Sequence, residues 1–138
     1  MASGLPVRKV DVNPETQAFW DATAQGRLLL SRCDDCGSVI WYPRGYCPDC
    51  AALSTSWIQS SGRGTIYTFS ITRRGSGAWA QVGPYVIAYV ELDEGPRVLT
   101  NIVGCAVSDV RIGMPVQVVF DDTGEGMSIY RFAPAETP

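Results

Sequence analysis

Cys33-Asp34-Asp35-Cys36-Gly37-Ser38-Val39-Ile40-Trp41-Tyr42-Pro43-Arg44-Gly45-Tyr46-Cys47-Pro48-Asp49-Cys50 holds two Cys-x-x-Cys pairs separated by ten residues. Two residues between cysteines let a tight turn aim both sulfurs at one ion, and a second such turn across a short hairpin completes four ligands. Gly37 relieves the first turn and Pro48 stiffens the second. Four thiolates fill a tetrahedral shell and leave no open position for water, so the expected role of Cys33, Cys36, Cys47 and Cys50 is structural, with zinc as the metal. Zinc binding in isolated modules of this kind is worth about 10–16 kcal/mol, more than so small a ribbon gains from its own apolar burial. A rubredoxin-like iron site, a redox-active dithiol and a pair of disulfides are the competing readings of the same four sulfurs.

The fifth cysteine, Cys105, follows the strand-like run Asn101-Ile102-Val103-Gly104 and reads as a small buried hydrophobe. The chain has no histidine, which removes the commonest general base and leaves Cys105 without an evident activator. A metal cluster with one outlying thiol suits a reducing compartment. With no apolar run near the roughly 18 residues of a membrane span and no signal-like start, a cytoplasmic, membrane-free protein is expected.

Outward from the cysteines, Asn13 to Gly26 reads as a helix of about three turns, with Asn13 as N-cap, Pro14 in the first turn, Glu15 complementing the dipole and Gly26 as terminator. Arg27-Leu28-Leu29-Leu30-Ser31 is too short for a helix and leads straight into Cys33, as a strand would. Beyond Ser56, β-branched and aromatic runs at 57–60, 64–73, 84–93, 97–103, 115–120 and 127–132 are separated by Gly, Pro and Asp. Ser61-Gly62-Arg63-Gly64 marks a bend inside one long first strand, Asp93-Glu94-Gly95-Pro96 a hairpin turn, and 108–113 a loop or short helical turn. About five strands, the first long and bent, make a Greek-key barrel of the OB type. The expected organisation is mainly β: an N-terminal segment and helix at 1–26, a zinc ribbon at 27–53, a five-stranded OB barrel at 54–133 and a flexible tail at 134–138.

The chain carries a net charge of −3, and its ten Arg and one Lys form no basic block. That argues against bulk attraction to nucleic acid. Ribbons and OB barrels do recur in proteins that grip single strands with aromatics and cations, so a single-stranded nucleic-acid binder is the rival reading.

Trp20, Gly26-Arg27-Leu28, the four-cysteine ribbon, Pro43-Arg44, Gly62-Arg63-Gly64-Thr65, Pro84-Tyr85-Val86, Leu92-Asp93-Glu94-Gly95 and Gly113-Met114-Pro115-Val116 together resemble one family. It is the rubredoxin-like zinc ribbon and OB-fold family of acyl-CoA-associated proteins, long catalogued as a domain of unknown function. The resemblance spans residues 13 to 133. It implies a non-catalytic accessory subunit of thiolase-like enzymes, among them thiolases, acyltransferases and retro-aldolases of steroid side-chain breakdown, working in a hetero-oligomer that handles acyl-CoA. The residues agree with that division of labour, offering no nucleophile elbow, no phosphate loop with lysine and no recognisable carboxylate pair.

Given such a partner, Arg73-Arg74-Gly75-Ser76-Gly77-Ala78-Trp79 supplies what CoA or the rim of its channel would need, two cations for phosphates and an aromatic face, on a loop between barrel strands. The bland alternative makes Arg73 and Arg74 solvated strand-end charges and Trp79 a core or lid residue. Phe19 and Trp20 stand about 100° apart on a helix, so either both clamp the helix to the rest of the chain or one is left to dock a partner.

Overall fold

Residues 3–135 are described by the computed structural model, and the order of elements follows the sequence signals with two shifts. Helix α1 spans Gln17–Thr23, two turns where three were expected. Asn13 is the reason: its carbonyl and side-chain oxygens both accept the Thr16 N–H, at 3.0 and 3.1 Å, closing a separate turn before the helix begins. Glu15, outside the helix, reaches the ribbon and accepts a hydrogen bond from the Gly45 N–H. The far end behaves as read. Gly26 takes φ +72°, and the N–H groups of Gly26 and Arg27 return to the Thr23 and Ala22 carbonyls, a glycine-terminated helix end.

The chain then enters a three-stranded antiparallel sheet of order β2-β1-β3, made of β1 (Leu29–Cys33), β2 (Val39–Ile40) and β3 (Thr55–Gln59). Here lies the second shift. Residues 57–60 were expected to open the long first barrel strand, yet β3 pairs with β1 along its whole length, from Leu29↔Gln59 to Cys33↔Thr55. A β-branched and aromatic run marks a segment as a strand without showing which edge it joins, and the free edge of β1 takes it. The range 54–133 therefore begins with a strand bonded to the ribbon.

Ser61-Gly62-Arg63 carries the chain from that sheet into the barrel. Gly62 has φ +76°, and a Cβ there would lie 2.4 Å from Val118 Cγ1, so only glycine fits the crossing. Glu94 clamps the bend from the opposite turn, accepting from Ser60 Oγ and the Ser61 N–H, both at 2.8 Å.

Strands β4 (Arg63–Thr72), β5 (Tyr85–Leu92), β6 (Arg97–Ile102), β7 (Pro115–Asp122) and β8 (Ser128–Pro134) close a barrel in the order β4-β5-β6-β8-β7. Antiparallel β4–β7 pairing and one parallel β6–β8 link make the closure, the connectivity of an OB fold. The Asp93-Glu94-Gly95 turn joins β5 to β6 as expected, and a 3-10 turn at Val107–Asp109 precedes β7. Pro134, placed at the start of the tail by sequence, is still paired with Val116, while residues 136–138 lie outside the described residues.

Inward positions of the barrel strands, among them Ile66, Val86, Val90, Val98, Val116 and Phe132, share one core with Phe19, Trp20 and Leu28–Leu30. Helix α1 and the base of β1 are thus part of the barrel's own core. The ribbon tip keeps a small separate one, Cys33, Ile40 and Cys47 with Ala52 against them. Among the described residues no helix is long and apolar enough to cross a membrane.

Candidate metal centre and contact surfaces

The two Cys-x-x-Cys turns close on one point. Cys33 Sγ lies 3.5 Å from Cys50 Sγ, Cys36 Sγ lies 3.6 Å from Cys47 Sγ, and all four sulfurs fall within 4.8 Å of one another. Zinc–sulfur bonds of about 2.3 Å in a tetrahedron require sulfurs about 3.8 Å apart, so the donor set fits the ion. Backbone geometry builds each turn. Gly37, at φ +76°, lets its N–H return to the Cys33 carbonyl at 3.0 Å, and the Cys36 N–H points at Cys33 Sγ. In the second turn Ala51 does what Gly37 does in the first, at φ 65°, with its N–H on the Cys47 carbonyl at 2.8 Å. Asp34 ties the first turn to β3, accepting from Ser54 Oγ at 2.6 Å and Ser56 Oγ at 2.7 Å; these bonds hold its carboxyl below the usual range.

Four sulfurs this close cannot all ionise without a cation between them. Ser38, through its hydroxyl and then its backbone, lowers the Cys36 thiol to about 6. At Cys50 the Ala52 backbone pulls downward, but the Cys33 sulfur, burial and the other two sulfurs outweigh it and push the thiol up to about 12. A divalent ion removes that repulsion, and its site is closed, with Cys33 and Cys47 buried and Cys36 and Cys50 at the surface. Among the described residues this is the one cluster of three or more side chains of ligand type.

Arg73 and Arg74 stand exposed just past the end of β4, and among the described residues neither guanidinium has a hydrogen bond or ion pair. Trp79 ends a 3-10 turn at Gly77–Trp79, half-buried, its ring 4.6 Å from that of Tyr85. Gly75 is a close-approach glycine, since a Cβ there would lie 2.5 Å from the Trp79 carbonyl oxygen. The loop is thus folded onto itself, bringing the tryptophan back beside the arginines' strand end.

Phe19 and Trp20 go the other way. They are 0% and 5% exposed, and with Trp41, Tyr42 and Tyr130 they form a cluster of edge-on and tilted rings joining helix, ribbon and barrel. Trp20 Nε1 donates to Tyr42 Oη at 2.7 Å, satisfying the indole. The docking role expected for one of the two has no exposed ring to carry it, because the ribbon and β8 cover both sides of the short helix. Cys105 is half-buried against the barrel core, and burial, then Asp109, raises its thiol, the opposite of nucleophile activation.

Two features escaped the sequence reading. Tyr67, Ile87, Tyr89 and Leu99 are exposed on the outer face of β4, β5 and β6, with Arg97 stacked 3.8 Å over the Tyr67 ring. Strand alternation carried that signal, since these positions interleave with the buried Val86, Ala88, Val90 and Val98. The second is a buried ion pair, Arg131 Nε to Asp121 Oδ2 at 2.9 Å, with side chains 2% and 4% exposed. No sequence pattern marks it, because its partners meet only across β7 and β8.

Comparison with known proteins covers both parts of the chain. Residues 20–55 match the family model described as the ChsH2 rubredoxin-like zinc ribbon domain, and residues 57–121 match that of the ChsH2 C-terminal OB-fold domain. A DUF35 domain-containing scaffold protein of Methanocaldococcus jannaschii is 38% identical over 116 residues, 79% of this chain and 82% of that protein. A probable enoyl-CoA hydratase alpha subunit of Thermomonospora curvata is 34% identical over 119 residues, 86% of this chain but 37% of the relative's length. Among solved structures, a chain of the Ltp2-ChsH2(DUF35) aldolase is similar at TM-score 0.81 and 30% identity, over 91% of this chain and 98% of that one.

Proposed function

Since the chain belongs to the DUF35 family of ChsH2-type zinc-ribbon and OB-fold proteins, we propose that it is a non-catalytic scaffold subunit of a thiolase-superfamily acyl-CoA enzyme. The observation that carries the reading is the likeness, along nearly its full length, to the ChsH2(DUF35) chain of an aldolase named for two components. The names of the hydratase and scaffold relatives point the same way.

Physical features support the division of labour. The metal centre has no open coordination position, so it holds shape and does no chemistry. The single cysteine outside it has its thiol pushed up by burial and then by Asp109, away from nucleophile activation. What the surface offers is contact: an aromatic outer face on the barrel, and Arg73, Arg74 and Trp79 at one strand end. In this reading those three residues meet the partner at the mouth of its CoA channel, where cations favour phosphate and an indole covers an adenine or apolar rim. The reaction served, whether thiolysis, condensation or retro-aldol cleavage in fatty-acid or steroid side-chain metabolism, belongs to the partner.

The test is capture of the tagged chain with its partner from native extract, identification of that partner, and assay of acyl-CoA turnover by each component and by the pair. Turnover by the pair that exceeds the partner alone, and that falls in R73A/R74A while the variant's Tm is unchanged, is the expected result. Turnover of an acyl thioester by the isolated chain would overturn the reading. So would oligonucleotide binding that falls steeply with salt and no thiolase-like partner.

A further inference from the structure

The N-terminal segment crosses one side of the barrel, held by Ser3 on Asp121 and by Arg131 Nη2 donating to the Pro6 carbonyl at 2.6 Å. Between segment and barrel lies a cavity of about 590 Å³. Its walls are apolar, with Val7 and Val10 from the segment, Trp79 from the 3-10 turn and Ile129 from β8. Its polar groups are Arg8, Arg131 and Asn101, and among the described residues no acidic side chain lines it.

Arg131 is the unusual member. Only 2% exposed, it uses Nη2 on Pro6 and sets Nε beside Asp121 without directing that N–H at the oxygen, while Nη1 has no hydrogen-bond acceptor among the described residues. Asp121 is held where it stands by the Ser3 N–H at 3.0 Å on one oxygen and the Ser3 hydroxyl on the other. Arg131, Pro6 and Trp79 all line the cavity, and the Trp79 ring centre lies 5.8 Å from the guanidinium carbon. A buried guanidinium donor without an acceptor is costly, and an oxygen ligand relieves it.

We propose that this cavity binds an organic monocarboxylate with an apolar body, its carboxylate at Arg131 and its hydrocarbon against Val7, Val10, Trp79 and Ile129. Charge selects the class. Asp121 compensates Arg131, leaving exposed Arg8 as the one uncompensated cation of the lining, which matches one negative charge. Apolar walls disfavour a strongly hydrated phosphate or sulfate dianion. The volume lies within the range of about 300–1,000 Å³ common for small-molecule sites. This site is independent of the scaffold reading, because it needs no partner.

The test is NMR titration of the labelled, zinc-loaded full chain with octanoate, and with octan-1-ol as the uncharged control. Saturable shifts confined to Val7, Val10, Trp79 and Ile129, with octanoate bound at least tenfold tighter than the alcohol, are expected. Val7→Trp fills the cavity from an exposed position and should abolish binding at unchanged Tm. D121N/R131M removes both charges of the pair and should erase the preference for acid over alcohol; if that variant fails to fold, V7W decides alone. No saturable shift, equal affinity for the alcohol, or binding that survives V7W would sink the proposal.

Discussion

Replacing Cys47 by serine removes one of four sulfurs from the centre of the ribbon, and the structure says how much should be lost. The tip of the ribbon has little else to hold it: Ile40 is its one fully buried aliphatic side chain and Ala52 is half-buried. Burying such an isoleucine contributes about 1.5–3 kcal/mol. Four thiolates on zinc contribute about 10–16 kcal/mol, or roughly 2.5–4 kcal/mol per ligand. C47S should therefore weaken zinc affinity on the order of 10²–10³-fold, and metal removal should melt the cysteine turns at 33–38 and 46–54 while Trp41 and Tyr42 stay packed on the barrel core. The barrel should survive, because its core around Ile66, Val90, Val98 and Phe132 is separate from the tip. Metal content by mass spectrometry, competition with a chromogenic chelator and amide hydrogen exchange measure all three consequences. Wild-type protein carrying iron, seen by its visible absorption, would refute the assignment, as would a metal-free ribbon whose tip amides stay protected.

Three further outcomes follow from the packing. Phe19→Ala empties the fully buried centre of the aromatic cluster and should cost about 3–5 kcal/mol, a fall in Tm of roughly 10–17 °C by calorimetry. Gly62→Ala places a methyl 2.4 Å from Val118 Cγ1 at a φ of +76°, and a loss of about 1–3 kcal/mol is expected in denaturant unfolding, with unchanged stability as the refuting result. Tyr130 has its pKa raised, first by burial and then by Tyr42. A group whose pKa is higher folded than unfolded contributes fully below the unfolded value, about 10 for tyrosine, and loses that contribution as pH rises beyond it. Wild-type stability should thus decline more steeply above about pH 10 than that of Tyr130→Phe, and parallel curves would show that Tyr130 does not titrate against the fold.

The parts of the fold that were legible are those whose physics is short-range. Cys-x-x-Cys spacing fixes where two sulfurs can point, Gly26 ends the helix with its own N–H on Thr23 and the next one, from Arg27, on Ala22, and Asp93-Glu94-Gly95 closes a hairpin within five residues. In each case cause and consequence lie within one turn of chain. The start of α1 was misplaced for the same kind of reason, since Asn13 serves a turn as readily as a helix and the choice depends on what Glu15 meets in the ribbon.

What tertiary structure decided is everything that needed two distant segments to be in place at once. The β-branched and aromatic run within Thr55–Gln59 reads as a strand, and only the unoccupied edge of β1 sent it to the ribbon. Phe19 and Trp20 were equally fit for a core or an interface until Trp41, Tyr42 and Tyr130 arrived from two other elements to enclose them. Arg131 and Asp121 are unremarkable letters ten positions apart, made a buried pair by strand register and then covered by Ser3 and Pro6 from the opposite end of the chain. Local sequence sets the geometry that a few bonds can enforce; burial is a property of the assembled chain, and so is every site built from it.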